Sequence, residues 1–185
     1  MTTEKELIKR YSQKSKHSNY QILPKILEPI LGQQQIDVKT RYERERLEYI
    51  LENVEVKGKT VLDVGGNTGF FSFEMLDAGA KSVHLYEGNK EHCEFVKLAA
   101  EALGLDSISV TNDYYTFNKS ENSKYSVVLL LNVLHHIGDD YDNKNMSKVE
   151  AKNKIIKQLN SMRFTSDTLV FQLGFNWHGN PSTRL

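Results

Sequence analysis

The chain has 185 residues, enough for one domain with a sizeable core. Its 24 lysines and arginines balance 24 aspartates and glutamates, so net charge gives no ground for bulk nucleic-acid or membrane binding. Cys93 is the single cysteine, which excludes an intrachain disulfide.

Residues 1–57 read as a helical extension ahead of a domain over 58–185. Glu4 to Tyr11 is expected to form a short helix, Ser12 to Asn19 an irregular stretch, and Val38 to Val54 one longer helix. Along that helix Glu43, Arg44, Glu45 and Glu48 read as a solvated, ion-paired side. The N-terminus lacks the apolar core of a signal peptide, and the longest apolar run, Val127 to Leu131, is too short for a bilayer. A cytoplasmic location with no membrane partner is the expectation.

From residue 60 the chain alternates. Strands are expected at Val61–Val64, Ser82–Tyr86, Ser107–Thr111, Ser126–Leu131 and Thr168–Leu173. Helices are expected at about Phe70–Ala78, Lys90–Leu103 and Lys148–Met162, with Gly79 and Gly104 stopping the first two. Asn118 to Lys124 is the expected tip of a polar loop, and the tail after Leu173 is irregular. The pattern predicts an α/β fold: a Rossmann-like, doubly wound, mostly parallel sheet with helices on both faces. Cys93, between Glu91 and Glu94, reads as a buried structural thiol, because nearby carboxylates raise a thiol pKa.

The segment TVLDVGGNTGFFSF, Thr60 to Phe73, has the grammar of buried strand, tight turn and helix start. Glycines let the backbone turn sharply and approach a ligand, and Asp63 at the strand end points to the crevice where open α/β sheets bind. Glu87 ends the second strand, 24 residues later, where its two oxygens suit a pair of ribose hydroxyls. Asn112 and Asp113 follow the third strand, and LLLNVLHHIGDD, Leu129 to Asp140, ends the fourth.

On these residues the span from Lys59 to Leu173 resembles the class I S-adenosylmethionine-dependent methyltransferases. Asp63, Gly65 and Gly69 match the family's acidic-x-Gly-x-Gly-x-Gly motif, while Asn67 stands for the middle glycine with Gly66 before it. Asparagine tolerates positive φ better than other non-glycine residues, so the turn is expected to survive. The resemblance implies S-adenosylmethionine as cofactor. Its methionine end would lie on Asp63, Gly65, Gly66, Asn67 and Gly69, its ribose on Glu87 and its adenine on Asn112 or Asp113. Asn132 would hold the cofactor's amino end or the substrate, and His135 or His136 would take a proton from the acceptor. The implied acceptor is a small-molecule or saccharide hydroxyl, read by the N-terminal segment (Tyr11, Lys14, Lys16, His17, Tyr20, Arg41, Tyr42, Arg44, Arg46) and by Phe175, Asn176, Trp177, His178 and Asn180. The charged residues of that segment read equally well as solvated helix, and Trp177 as packed over the sheet end.

Three other readings stay open. An RNA acceptor needs only a local basic groove. A nicotinamide-dependent dehydrogenase needs Gly-x-Gly-x-x-Gly, and Gly65, Gly66 and Gly69 have the wrong gap. A non-catalytic methyltransferase-like module is suggested by Asn67 and by five visible strands where the family has seven. The sheet edge beside the fifth strand then needs a cover: the N-terminal helices, a second copy of the chain in a homodimer, or further sequence. No metal is expected. His135 and His136 are adjacent and project differently, and Asp139, Asp140 and Asp142 read as a solvated turn.

Overall fold

The computed structural model describes residues 3–13, 17–18, 20–31, 38, 40–117, 124–174 and 176–177. Lys14, Lys16, Phe175, His178, Asn180 and most of the expected loop tip at 118–124 lie outside them. Three helices come first: α1 (Thr3–Tyr11), α2 (Glu28–Leu31) and α3 (Glu43–Asn53). Then β1 (Thr60–Val64), α4 (Phe70–Asp77), β2 (Ser82–Tyr86), α5 (Lys90–Leu103), β3 (Ile108–Thr111), β4 (Tyr125–Leu131), α6 (Lys148–Ser161) and β5 (Ser166–Gln172) follow.

The five strands make one all-parallel sheet in the order β3-β2-β1-β4-β5, the Rossmann-like arrangement expected. Alternation along β1 and β4 sends side chains to two cores. Val61, Val127 and Leu129 meet Phe70, Phe71 and Met75 of α4 and Leu47 and Ile50 of α3. Leu62, Val64, Val128 and Leu130 meet Ala151 and Ile155 of α6. On the first face α1 and α2 also pack, with Leu7, Tyr11, Leu27 and Leu31 against Phe95, Val96 and Ala99 of α5. Chain order reverses between β1 and β4, and that switch point opens the crevice at the strand C-termini.

Helix ends follow local chemistry. The Asn89 side chain caps α5 by accepting from Glu91 N, and Gly104 at φ 64° ends it. Ser147 and Glu150 form a reciprocal capping box on α6.

Two expectations need correction. The helix expected from Val38 begins only at Glu43, because Tyr42 adopts a left-handed φ of 62°. Glu43 is also not solvated: it is 0% exposed, and its carboxylate accepts from Arg41 N at 3.0 Å and from Thr40 Oγ1 at 2.8 Å. A buried carboxylate must be hydrogen-bonded, and here it folds residues 40–42 back across the helix start. Of the covers expected for the β5 edge, α1 goes elsewhere, onto α5.

Candidate functional site: a crevice at the strand C-termini

A cavity of about 970 Å³ lies at the switch point. The glycine turn after β1 and the end of β2 form one side. The segment after β4 and His17, Tyr20 and Gln21 of the N-terminal segment form the other.

The glycine side is built largely from main chain. Gly65 N and Gly66 N donate to Tyr86 O, which locks the turn to β2. Gly65 has φ 71°, and a Cβ there would meet Val133 Cγ2 at 2.8 Å. A Cβ on Gly66 would meet Leu85 Cδ1 at 2.6 Å and Asp63 Oδ2 at 2.9 Å, so this turn has no room for a side chain. Asn67 takes the left-handed conformation, φ 54°, that the replacement of a glycine requires.

Asp63 sits under the turn, buried, and its Oδ2 accepts from Ser72 Oγ at 2.7 Å. Burial pushes its carboxyl up to about 6, although the Ser72 hydroxyl works the other way. Asp63 therefore ties β1 to α4 as well as lining the crevice. Glu87 accepts from Asn67 N through Oε2 and from Asn89 N through Oε1, both at 2.8 Å. Burial works to raise its carboxyl, but His92 and the amides of Asn89 and Asn67 outweigh it and hold it below the ordinary glutamate value. Cys93 is the structural thiol expected: it is buried, its Sγ donates to Glu87 O, and burial raises it to about 11.

Asn112 and Asp113 part company. The Asn112 amide donates to Glu87 O and Gly88 O, so it braces the turn after β2. Asp113 lines the crevice and accepts from Tyr114 N. Tyr114, unremarked in the sequence, lies against Gly88, where a Cβ would meet its ring at 2.7 Å. Gly88 thus makes space for an aromatic wall, a signal readable only once Tyr114 is known to fold over it.

The opposite side is built from side chains. Asn132 has φ 58°, donates from its main chain to Gln172 O, and donates through Nδ2 to Gln172 Oε1 at 3.3 Å. Arg46 reaches the same Gln172 oxygen from α3. His135 and His136 stack with ring centroids 4.0 Å apart. Burial, then the neighbouring His136, lowers the His135 imidazole to about 4. Among the described residues its Nδ1 is buried without a hydrogen-bond partner. His136 Nδ1 lies 2.9 Å from Asp140 Oδ2, and His17 Nε2 lies 2.9 Å from that same oxygen. Asp140 is therefore no solvated turn residue. Asp142, by contrast, is exposed and pairs with Lys154.

His17 and Gln21 strap across the turn. Asn67 Nδ2 donates to His17 O at 3.0 Å, and Gln21 Oε1 accepts from Thr68 Oγ1 and from Phe70 N, the first amide of α4. Arg41 stacks over Tyr20 at 4.1 Å. Trp177 settles into the core beside Ile137 and donates its indole N–H to Ile137 O, the packed alternative. Asn176 lines the crevice.

Neither a scan of protein-family models nor a search of curated proteins finds a match to this chain. Solved structures do match. A structure of WbdD with its C-terminal bundle ordered is similar at TM-score 0.66 and 17% identity, covering 92% of this chain and 31% of that one. Another, described as the bifunctional kinase-methyltransferase WbdD, gives TM-score 0.59 at 16% identity, covering 74% and 30%. This chain spans less than a third of the length of those structures. The fold is thus a methyltransferase-type, Rossmann-like α/β fold. Among the described residues no helix is long and apolar enough to cross a membrane.

Proposed function

We propose that the chain transfers a methyl group from S-adenosylmethionine to the hydroxyl of a small molecule or saccharide. The observation that carries this reading is the Glu87 carboxylate set against the glycine turn at the edge of a large crevice. A carboxylate has about four lone-pair positions; the amides of Asn67 and Asn89 use one on each oxygen, and the His92 ring faces Oε1 at 3.8 Å. The lone pairs left over suit ribose hydroxyls, and the backbone of Gly65 and Gly66 lines the crevice beside them. The residues present therefore fit this cofactor. Glu87 would hold its sugar, the turn its methionine end, and Tyr114 with Asp113 would flank its base.

When bound, the cofactor supplies an activated methyl group, so the protein's tasks are alignment and exclusion of water. Asn132 and Gln172 present amide groups at the mouth, and the strap of His17, Tyr20 and Gln21 narrows it. His135 stays neutral above about pH 4 and takes the acceptor proton. Turnover should then be flat from pH 5 to 8 and fall only toward pH 4. His135→Ala should cost about 10²-fold in turnover with cofactor affinity unchanged. Equal turnover in that variant would remove His135 from the chemistry.

The first test is calorimetric titration with S-adenosylmethionine and, separately, NAD. Micromolar binding of the first alone is expected. Glu87→Ala should weaken it by about 1–3 kcal/mol, roughly 5- to 150-fold. Binding of NAD alone would favour a dehydrogenase, and binding of neither would favour a non-catalytic module.

A further inference from the structure

We propose that His17, His136 and Asp140 form a three-donor site for a divalent transition-metal ion of the zinc type at the crevice mouth. Three segments of chain bring the donors together: the N-terminal strap, the turn after β4 and the loop beyond it. His17 and Asp140 are 123 positions apart, so no sequence spacing announces the set. His17 Nε2, His136 Nδ1 and Asp140 Oδ2 all lie within 4.8 Å of one another. The carboxylate oxygen is 2.9 Å from each nitrogen.

Two imidazoles and one carboxylate match the donor set of zinc sites that keep a fourth position open, whereas all-oxygen sets suit magnesium and calcium. Donors around a tetrahedral zinc ion, each about 2.0–2.2 Å from it, stand roughly 3.3 Å apart. An ion therefore needs the carboxylate and each ring to separate by about 0.4 Å, and the two ring nitrogens, which lie within 4.8 Å of one another, to settle at the same spacing. The side chains are 28%, 31% and 14% exposed for His17, His136 and Asp140, so an ion can enter yet is shielded once bound. All three line the same crevice, which leaves a fourth position for water or an acceptor oxygen.

The ion would also act on the strap. His17 O already accepts from Asn67 Nδ2, so coordination of the His17 ring fixes the strap at both ends of one residue. With its Nδ1 on the ion, His136 carries its proton on Nε2 and is no proton acceptor, which leaves that task to His135.

The test needs no methyl donor, so its failure is separate from failure of the proposed activity. The whole chain, stripped with a chelator, is titrated with cobalt(II) and then with zinc. One cobalt per chain should bind at micromolar affinity or tighter, with the strong visible ligand-field bands of a four- or five-coordinate site, and zinc should displace it. His17→Ala, His136→Ala and Asp140→Asn should each weaken binding at least tenfold, and Asp142→Asn should not. Asp140→Asn keeps shape and volume, so it carries the test if an alanine variant fails to fold. No cobalt bands at millimolar metal, or unchanged affinity in the three variants, would overturn the site and leave a hydrogen-bonded His–Asp–His cluster.

Discussion

The two sides of the crevice are held in different ways. On the glycine side the contacts are main chain to main chain, or main chain to a half-buried carboxylate: Gly65 and Gly66 to Tyr86, Asn67 and Asn89 to Glu87. Sheet register fixes them, since β1 and β2 pair from Thr60↔Ser82 to Val64↔Tyr86. On the opposite side, side chains from segments outside the sheet meet one another: His17 with Asp140, Arg46 with Gln172, Arg41 with Tyr20. Side chains contributed from outside the sheet can change without changing the fold that carries them.

That contrast can be attacked from either side. The largest effect is expected at Glu43, which holds the main chain that presents Arg41 and sits 3.6 Å from Arg46. Glu43→Ala removes charge-assisted hydrogen bonds and should cost about 1.5–3 kcal/mol of stability each at most, read by denaturant melts. An unchanged midpoint would show that the side-chain half does not depend on this carboxylate. Gly66→Ala is next: overpacking against Leu85 and Asp63 should cost about 1–3 kcal/mol and abolish tight cofactor binding. Wild-type affinity in that variant would mean that the turn is softer than its packing indicates. Gln21→Ala, which takes the strap off Thr68 and the α4 N-terminus, should cost only about 0.5–1.5 kcal/mol. A larger loss would make the strap part of the core.

The most specific effect is one of pH. The folded-state carboxyl of Asp63 is raised from 3.8 to about 6. A raised acid favours folding while it is protonated, so its contribution is present below about pH 4 and lost as pH rises through 6. The stability of the wild type relative to Asp63→Asn should therefore fall between pH 4 and 6, measured by paired melts. A constant difference would mean that Asp63 is no more costly to ionise folded than unfolded.

Much of the sheet was legible because burial on both faces leaves an apolar signature. β2 at Ser82–Tyr86 and α5 at Lys90–Leu103 fall at the expected residues, the latter because Asn89 and Gly104 mark its ends. The start of α3 was not legible: the sequence reads as one helix from Val38 to Val54, but Tyr42 takes a left-handed φ while the buried Glu43 carboxylate folds residues 40–42 back over the helix start. In the crevice, Asp63, Gly65, Gly66 and Glu87 could be named because they sit at the ends of strands of regular spacing, whereas Gly69 is the N-cap of α4 and does not line the cavity. Asp140 could not be told from Asp139 or Asp142, since its distinction is contact with His17 across 123 positions. Trp177, read two ways from its neighbours, is settled by its bond to Ile137 O.

Asn67 links the two sides. A glycine there would make the same turn, at φ 54°, but would have no amide to hand to His17 O. The side chain that departs from the motif thus fastens the glycine turn to His17, on the other side of the crevice. A ligand's residence time, rather than affinity alone, is then expected to depend on that one amide. Asn67→Gly is expected to keep the turn and to speed ligand release in stopped-flow chase, while an unchanged off-rate would show that the strap opens without it.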